Sequence, residues 1–178
     1  MNDFWMAFDV EFAVRLAQRL RPNDLRWIED CLPPENLEAH DELRQRLPWM
    51  TLATGEHWYG MQDFATACTR RFADILQPDI MWAGGFAGLR RICHLAEAHG
   101  LEVILHAGAN RPYGQHLSLT SPAIRWAEFF VGGGPGVPLE QLKIFPGMQV
   151  PNDGRISANG DPGFGLGLSE AMIDEMRL

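Results

Sequence analysis

The chain has 178 residues, 46% hydrophobic and 21% charged, the balance of a globular protein with one substantial core but shorter than the roughly 250 residues of a complete (β/α)8 barrel. Its net charge of −8 argues against nucleic acid or an anionic membrane surface as a partner, and no apolar run approaches the ~18 residues of a membrane span. Three cysteines, Cys31, Cys68 and Cys93, fall without metal-motif spacing, and the opening MNDFWMAFDVEF has early acids and no basic region. Together these suggest reduced, partly buried thiols in a cytoplasmic protein rather than a secreted one.

The first expected element is a helix over residues 10–20, with Phe12, Leu16 and Leu20 four apart on one face and Pro22-Asn23-Asp24 as its stop. A short apolar piece at 25–28 ends at Glu29-Asp30. Pro33-Pro34 opens a helix over 37–46, since proline in a first turn loses no hydrogen bond. A strand at 50–53 runs into Gly55-Glu56-His57, and a helix over 63–72 follows. The next strand, 74–77, ends at Pro78-Asp79; Gly84-Gly85 turns the chain into a helix over 89–98. Gly100 sits where a helix end favours a left-handed residue. A strand at 102–105 ends at His106, a loop-rich stretch follows, and 126–131 is the last strand-like run.

Short, continuously apolar strands alternating with helices predict an α/β fold with a parallel sheet, buried on both faces. Residues 1–131 form this unit. Residues 132–178 open with Gly132-Gly133-Gly134-Pro135-Gly136, lack periodicity, and are expected to drape over the rest as a C-terminal extension. Gly163-Phe164-Gly165-Leu166-Gly167 follows no strand and fails phosphate-loop spacing, so it is expected to be a tight turn.

Almost every strand-like segment ends in an acid or a histidine: Asp3, Glu29, Glu56, Asp79, His106 and Glu128. In a parallel barrel such residues meet at one mouth, because all βα loops open on that face. A single acid at a strand end is explained by solvent; an ordered series is not. Asp3, Glu29 and Glu56 follow one another at steps of 26 and 27 residues, one βαβ repeat each. Three oxygen ligands on adjacent strands suit Mg²⁺, and the lack of soft ligands argues against structural zinc. Asp9, Glu11 and Asp30 are expected to be a helix-start acid, a solvated residue and a loop residue. Asp79 and His106 end the next two strands as a carboxylate–imidazole pair, and His57 stands at the rim of the same site. His40, His94 and His99 are expected on helices as surface or packing residues; His116 is placed in a loop near the mouth.

Several segments resemble the L-rhamnonate dehydratases, a branch of the enolase superfamily: Trp27-Ile28-Glu29-Asp30-Cys31-Leu32-Pro33-Pro34, Thr54-Gly55-Glu56-His57, Leu76-Gln77-Pro78-Asp79 with Gly84-Gly85, and Leu105-His106-Ala107-Gly108. Asp3-Phe4-Trp5-Met6 is similar to that family's third-strand metal segment, and the resemblance extends to Pro162-Gly163-Phe164-Gly165. It implies part of a (β/α)7β barrel, strands 3 to 8, without the N-terminal capping domain and first two strands. Mg²⁺ would be held by Asp3, Glu29 and Glu56; His106 with Asp79 would be the acid–base group; His57 would line the site, and Glu128 would contact substrate. The implied reaction is dehydration of a sugar acid to a 2-keto-3-deoxy acid: the metal ion steadies the enolate, one histidine takes the C2 proton and a histidine acid helps the C3 hydroxyl leave. Which histidine does which stays open, as does the sugar. Another acid-sugar dehydratase, or a metal-binding protein without turnover, are the alternatives. The resemblance also implies a homo-oligomer, and that an open barrel of this length turns over poorly on its own.

Overall fold

Five short parallel strands alternate with helices in the computed structural model, which describes residues 1–177. The strands are β1 (Asn2–Asp3), β2 (Ile28–Glu29), β3 (Leu52–Thr54), β4 (Ile75–Leu76) and β5 (Glu102–Val103), and they lie side by side in sequence order. Every neighbouring pair is parallel, with Asp3 opposite Glu29, Glu29 opposite Ala53, Thr54 opposite Leu76 and Leu76 opposite Val103. Parallel neighbours need crossovers, and α1 (Val10–Leu20), α2 (Leu37–Arg46), α3 (Met61–Arg70) and α4 (Gly85–Ala98) supply them. The expected parallel α/β architecture is therefore present. The register aligns the strand ends, so the residues just beyond them share one edge.

Alternation along the strands separates two kinds of core. Leu76, Val103 and Leu105 face α3 and α4, packing with Phe64, Phe72, Leu89 and Ile92. Ile28 and Leu52 join Val14, Ala17, Leu43 and Leu47 of α1 and α2. Ala53, Ile75 and Ile104 point the other way and form a separate small cluster with Trp27. All three cysteines are free and buried, as the sequence suggests.

The helix starts are locally encoded. Asp9 caps α1 by accepting from Phe12 N at 2.7 Å, as expected of a helix-start acid. For α2 the cap is Asn36, accepting from Ala39 N at 3.1 Å; Pro33 and Pro34 precede the helix instead of lying in its first turn. Gly100 takes the left-handed φ of +68° that its position after α4 demands.

Two expectations at the far end need correction. The stretch read as loop contains α5 (Pro112–Thr120), entered through Pro112 in its first turn. The run 126–131 is not a strand among the described residues. Contact with β5 comes just before it, as a single bridge between Val103 and Ile124. The run itself is held by one backbone bond, Ala109 N donating to Glu128 O at 2.9 Å, and by a side chain: Asn110 accepts from Phe130 N at 2.7 Å and donates to Phe130 O at 2.9 Å. A ladder is replaced by an amide clamp, and Trp126, Phe130 and Val131 remain exposed.

Beyond residue 131 the chain includes α6 (Glu170–Glu175), capped by Ser169. Ahead of α6, Phe164 packs on α4 and α5, touching Phe86, Tyr113 and His116. Gln115 is buried and ties the segment down by donating to Gln149 O at 2.7 Å. The glycine cluster at 163–167 is the expected tight turn, with Gly165 N donating to Pro162 O. The last residue of this segment, Leu178, lies outside the described residues. No helix among the described residues is long and apolar enough to cross a membrane.

Candidate active site

The residues singled out by sequence gather at the C-terminal ends of the strands. Asp3 and Glu29 are the last residues of β1 and β2. Glu56 and His57 follow β3, Asp79 follows β4 and His106 follows β5; Asp79 and His106 continue the parallel register as an isolated bridge.

Asp79 and His106 form the pair expected. His106 Nδ1 stands 2.8 Å from Asp79 Oδ2, and Asp79 Oδ1 accepts from Met81 N at 2.6 Å. These fixed partners leave Nε2 as the free end of the ring, 3.4 Å from Glu56 Oε2. The hydrogen bond to Asp79 pushes the His106 pKa up to about 9 against burial, with the fields of Glu56 and Glu128 adding. Burial works to raise Asp79, but bonds from His106 and Met81 outweigh it and hold that carboxyl below its usual range. Glu128 lies at the same mouth, accepting from Ala107 N at 3.0 Å.

The three acids of the expected ligand set are near one another but differently engaged. Asp3 is exposed and accepts from Trp5 N at 2.8 Å. Glu29 is buried, its Oε2 accepting from Trp27 Nε1 at 2.6 Å and Gln77 Nε2 at 3.0 Å. Glu56 faces His106 on one side and His57 on the other. His57 Nδ1 is 3.1 Å from Glu56 Oε1 yet is not aligned for a hydrogen bond, so it is buried without a partner. Among the described residues, the group whose ligand atoms all lie within 4.8 Å of one another is Asp30, Glu56 and His57. Asp3 and Glu29 stand outside that spacing.

Asp30 is the residue whose burial the sequence missed. It lies in the loop after β2 as expected, but it is 3% exposed instead of solvated, and it accepts from Thr54 Oγ1 at 2.7 Å. Burial pushes its pKa up to about 7, with repulsion from Glu56, Glu29 and Asp3 adding and the Thr54 bond opposing. Burial also raises Glu56, with Asp3, Glu128 and Glu29 pushing the same way, and it raises Glu128. Gln77 was likewise missed: it holds Glu29 while its own Oε1 is buried without a partner. A glutamine inside an otherwise apolar strand end was the available signal. His116 lies on α5 and not in a loop, edge-on to Phe164.

Crowded carboxylates whose fields push Asp30 and Glu56 up, beside an unpartnered amide oxygen, suit a cation. Their hard oxygen donors fit a divalent cation such as Mg²⁺ and not a soft metal. Cavities of about 330 and 390 Å³ lie elsewhere, one lined by Asp74, Glu97 and Arg125, the other by Trp126, Phe129 and Arg155, and neither contains these acids.

Comparison with known proteins shows the family. The family described as enolase C-terminal domain-like matches residues 1–172. An L-rhamnonate dehydratase of Saccharopolyspora erythraea is 36% identical over 174 residues, 95% of this chain and 44% of that protein. Among solved structures, rhamnonate dehydratase from Gibberella zeae complexed with Mg has a TM-score of 0.82 at 26% identity, over 97% of this chain and 43% of that one. An enolase from Pantoea ananatis with bound D-gluconate and Mg has a TM-score of 0.80 at 25% identity, over 97% and 41%. The chain thus spans less than half the length of these relatives.

Proposed function

The chain belongs to the enolase C-terminal domain-like family, and on that premise we propose that it carries the cation-holding and proton-transfer machinery of a Mg²⁺-dependent sugar-acid dehydratase, with L-rhamnonate the first substrate to try. The observation that carries this reading is the His106–Asp79 couple set against Glu56, with Glu29, Asp30 and Glu128 around it.

Asp3, Glu29 and Glu56 are the proposed cation ligands; Gln77 braces Glu29, and Asp30, held by Thr54, stands close to Glu56. When bound, Mg²⁺ draws off the charge that develops on the substrate carboxylate during proton removal. The remaining steps fall to this chain's side chains. Asp79 fixes the tautomer of His106, so Nε2 is the atom that accepts the C2 proton. The electron pair left on C2 passes into the enolate, then forms the C2–C3 double bond as the C3–oxygen bond breaks. The departing hydroxyl takes a proton from an imidazolium, His106 itself or His57, and leaves as water. The enol then tautomerises to the 2-keto-3-deoxy acid. His106 is held at about 9 chiefly by its bond to Asp79, with Glu56 and Glu128 adding, so it is protonated at neutral pH and offsetting the two glutamates removes only the smaller part of that rise.

The reading is tested in two steps on the same protein. Mn²⁺, used as a spectroscopic substitute for Mg²⁺, is expected to bind at one site per chain and to be lost in Glu56→Gln. L-Rhamnonate in D₂O with Mg²⁺ is expected to exchange its C2 proton, and His106→Asn is expected to stop the exchange while keeping the metal. Metal binding undiminished in Glu56→Gln, or exchange undiminished in His106→Asn, would sink it.

A further inference from the structure

Next to the acids stands an exposed aromatic shelf that neither the core nor the proton chemistry requires. Tyr59 and Trp82 stack with ring centroids 5.3 Å apart and 13° between their planes. They are 67% and 40% exposed, and Met81 beside them is 58% exposed. A stacked aromatic pair open to water beside an exposed methionine offers apolar surface that a ligand can cover.

The shelf is fixed in place by the site itself. Asp79, which holds His106, also accepts from Met81 N at 2.6 Å. Tyr113 OH donates to Met81 Sδ at 3.4 Å. The His57 ring meets Trp82 edge-on at 4.9 Å, and the same His57 lies 3.1 Å from Glu56. One side chain therefore separates the shelf from the acid that faces His106.

Resting on the dehydratase reading, the geometry points to the shelf of Tyr59, Trp82 and Met81 as the subsite for the end of the sugar acid remote from its carboxylate, with a preference for acids ending in a methyl group over those ending in a hydroxymethyl. An acid anchored by its carboxylate among the strand-end acids extends its carbon chain outward, past His57. A ring face gives C–H surface a place to bury but offers a hydroxyl no good partner for the water it loses. A terminal methyl laid on the stacked rings gains about fourfold in affinity from its burial. A terminal hydroxyl loses more.

L-Rhamnonate and L-mannonate differ only in that terminal group and form the test pair, with glycerate as an acid that lacks the far end. Calorimetric titration in Mg²⁺ is expected to give a Kd for L-rhamnonate at least about fourfold below that for L-mannonate. Saturation transfer from aromatic protons is expected to fall most strongly on the rhamnonate methyl. Trp82→Ala and Tyr59→Ala should each bring the two Kd values together and leave glycerate binding unchanged. If Trp82→Ala loses its fold, Tyr59→Ser at the more exposed ring carries the comparison. Equal binding of both acids by the parent, or a ratio that survives both substitutions, overturns the shelf alone. Binding of neither acid in the presence of Mg²⁺ overturns the dehydratase reading and the shelf with it.

Discussion

Replacing Gly114 with alanine probes how tightly α5 is pressed against the loop that carries His106. A Cβ built at Gly114 falls 2.2 Å from Gly108 O, 3.0 Å from Gly108 C and 3.2 Å from Gly108 Cα. Real Cβ atoms essentially never come closer than 3.0 Å, so the two backbones must part by roughly 1 Å, and no flexible side chain is available to yield. Gly114 is in the first turn of α5, where alanine recovers at most about 1 kcal/mol of propensity over glycine. Overpacking against a rigid neighbour costs about 1–3 kcal/mol, and here the obstacle is main chain, which puts the cost at the upper end. The net loss is about 1–2 kcal/mol, a drop in Tm of roughly 2–8 °C for a chain of this size. Gly160→Ala is the control: a Cβ there meets nothing within 4 Å and should change stability by less than about 0.5 kcal/mol. Thermal unfolding of the three proteins gives the answer. If Gly114→Ala matches or exceeds the parent in Tm while Gly160→Ala is neutral, the close approach of α5 to Gly108 is wrong.

The other predictions follow from side-chain partners. His40 bonds Asn36 O through Nδ1 at 2.9 Å, while its Nε2 is buried without a partner beside Trp58 and Phe72; burial depresses its pKa, so its contribution is complete above about 6.5 and is lost as pH falls through the folded value. His40→Gln should flatten the decline of urea midpoint between pH 7 and 5, and equal slopes would refute this. Asp79→Asn removes the main cause holding His106 at about 9, so the imidazole NMR titration should move down toward its ordinary range. The raised value stabilises the fold below about 6.5 and that stability fades as pH rises through 9, so Asp79→Asn should destabilise most near pH 6 and least above 9; an unmoved titration contradicts the pairing. C2 exchange should fall by about 10²-fold in the same variant. Asn110→Ala removes both bonds to Phe130, costing about 1–3 kcal/mol and speeding amide exchange across 126–131; unchanged exchange there would count against the clamp.

What the sequence made legible was whatever is encoded locally. Helix α1 and α2 fall where apolar spacing and end signals put them, because both act within a turn or two. Helix α5 was missed because Pro112-Tyr113-Gly114 reads as a turn, and because its buried face uses Gly114 and Gln115 where a periodic helix would use large apolar residues. The run 126–131 has strand composition, but its partner is the side chain of Asn110, which no strand pattern encodes. Asp30 shows the limit most clearly. Alternation along a strand turns a residue away from the face its neighbour uses, so an acid after Glu29 is expected to point elsewhere. Its left-handed backbone, φ +44°, brings it back inside to Thr54. Asp30 is therefore part of the acid cluster through backbone geometry, with no sequence signal to announce it.

Asp79 makes the proton chemistry and the aromatic shelf mechanically one unit. Its two oxygens face in two directions, Oδ2 to the ring of His106 and Oδ1 to the backbone of Met81, so the position of the imidazole and that of the shelf share a single anchor. Glu56 and His57 make the same connection from β3, one facing His106 and the other touching Trp82. A carboxylate with two bonds of 2.6 and 2.8 Å has little freedom to rotate, and neither end moves without the other. Because Asp79 holds the shelf through the backbone N of Met81, truncating the side chains of Tyr59 or Trp82 leaves that anchor in place and should change which acid binds with little effect on the His106 titration, whereas loss of the Asp79 carboxylate should disturb both together.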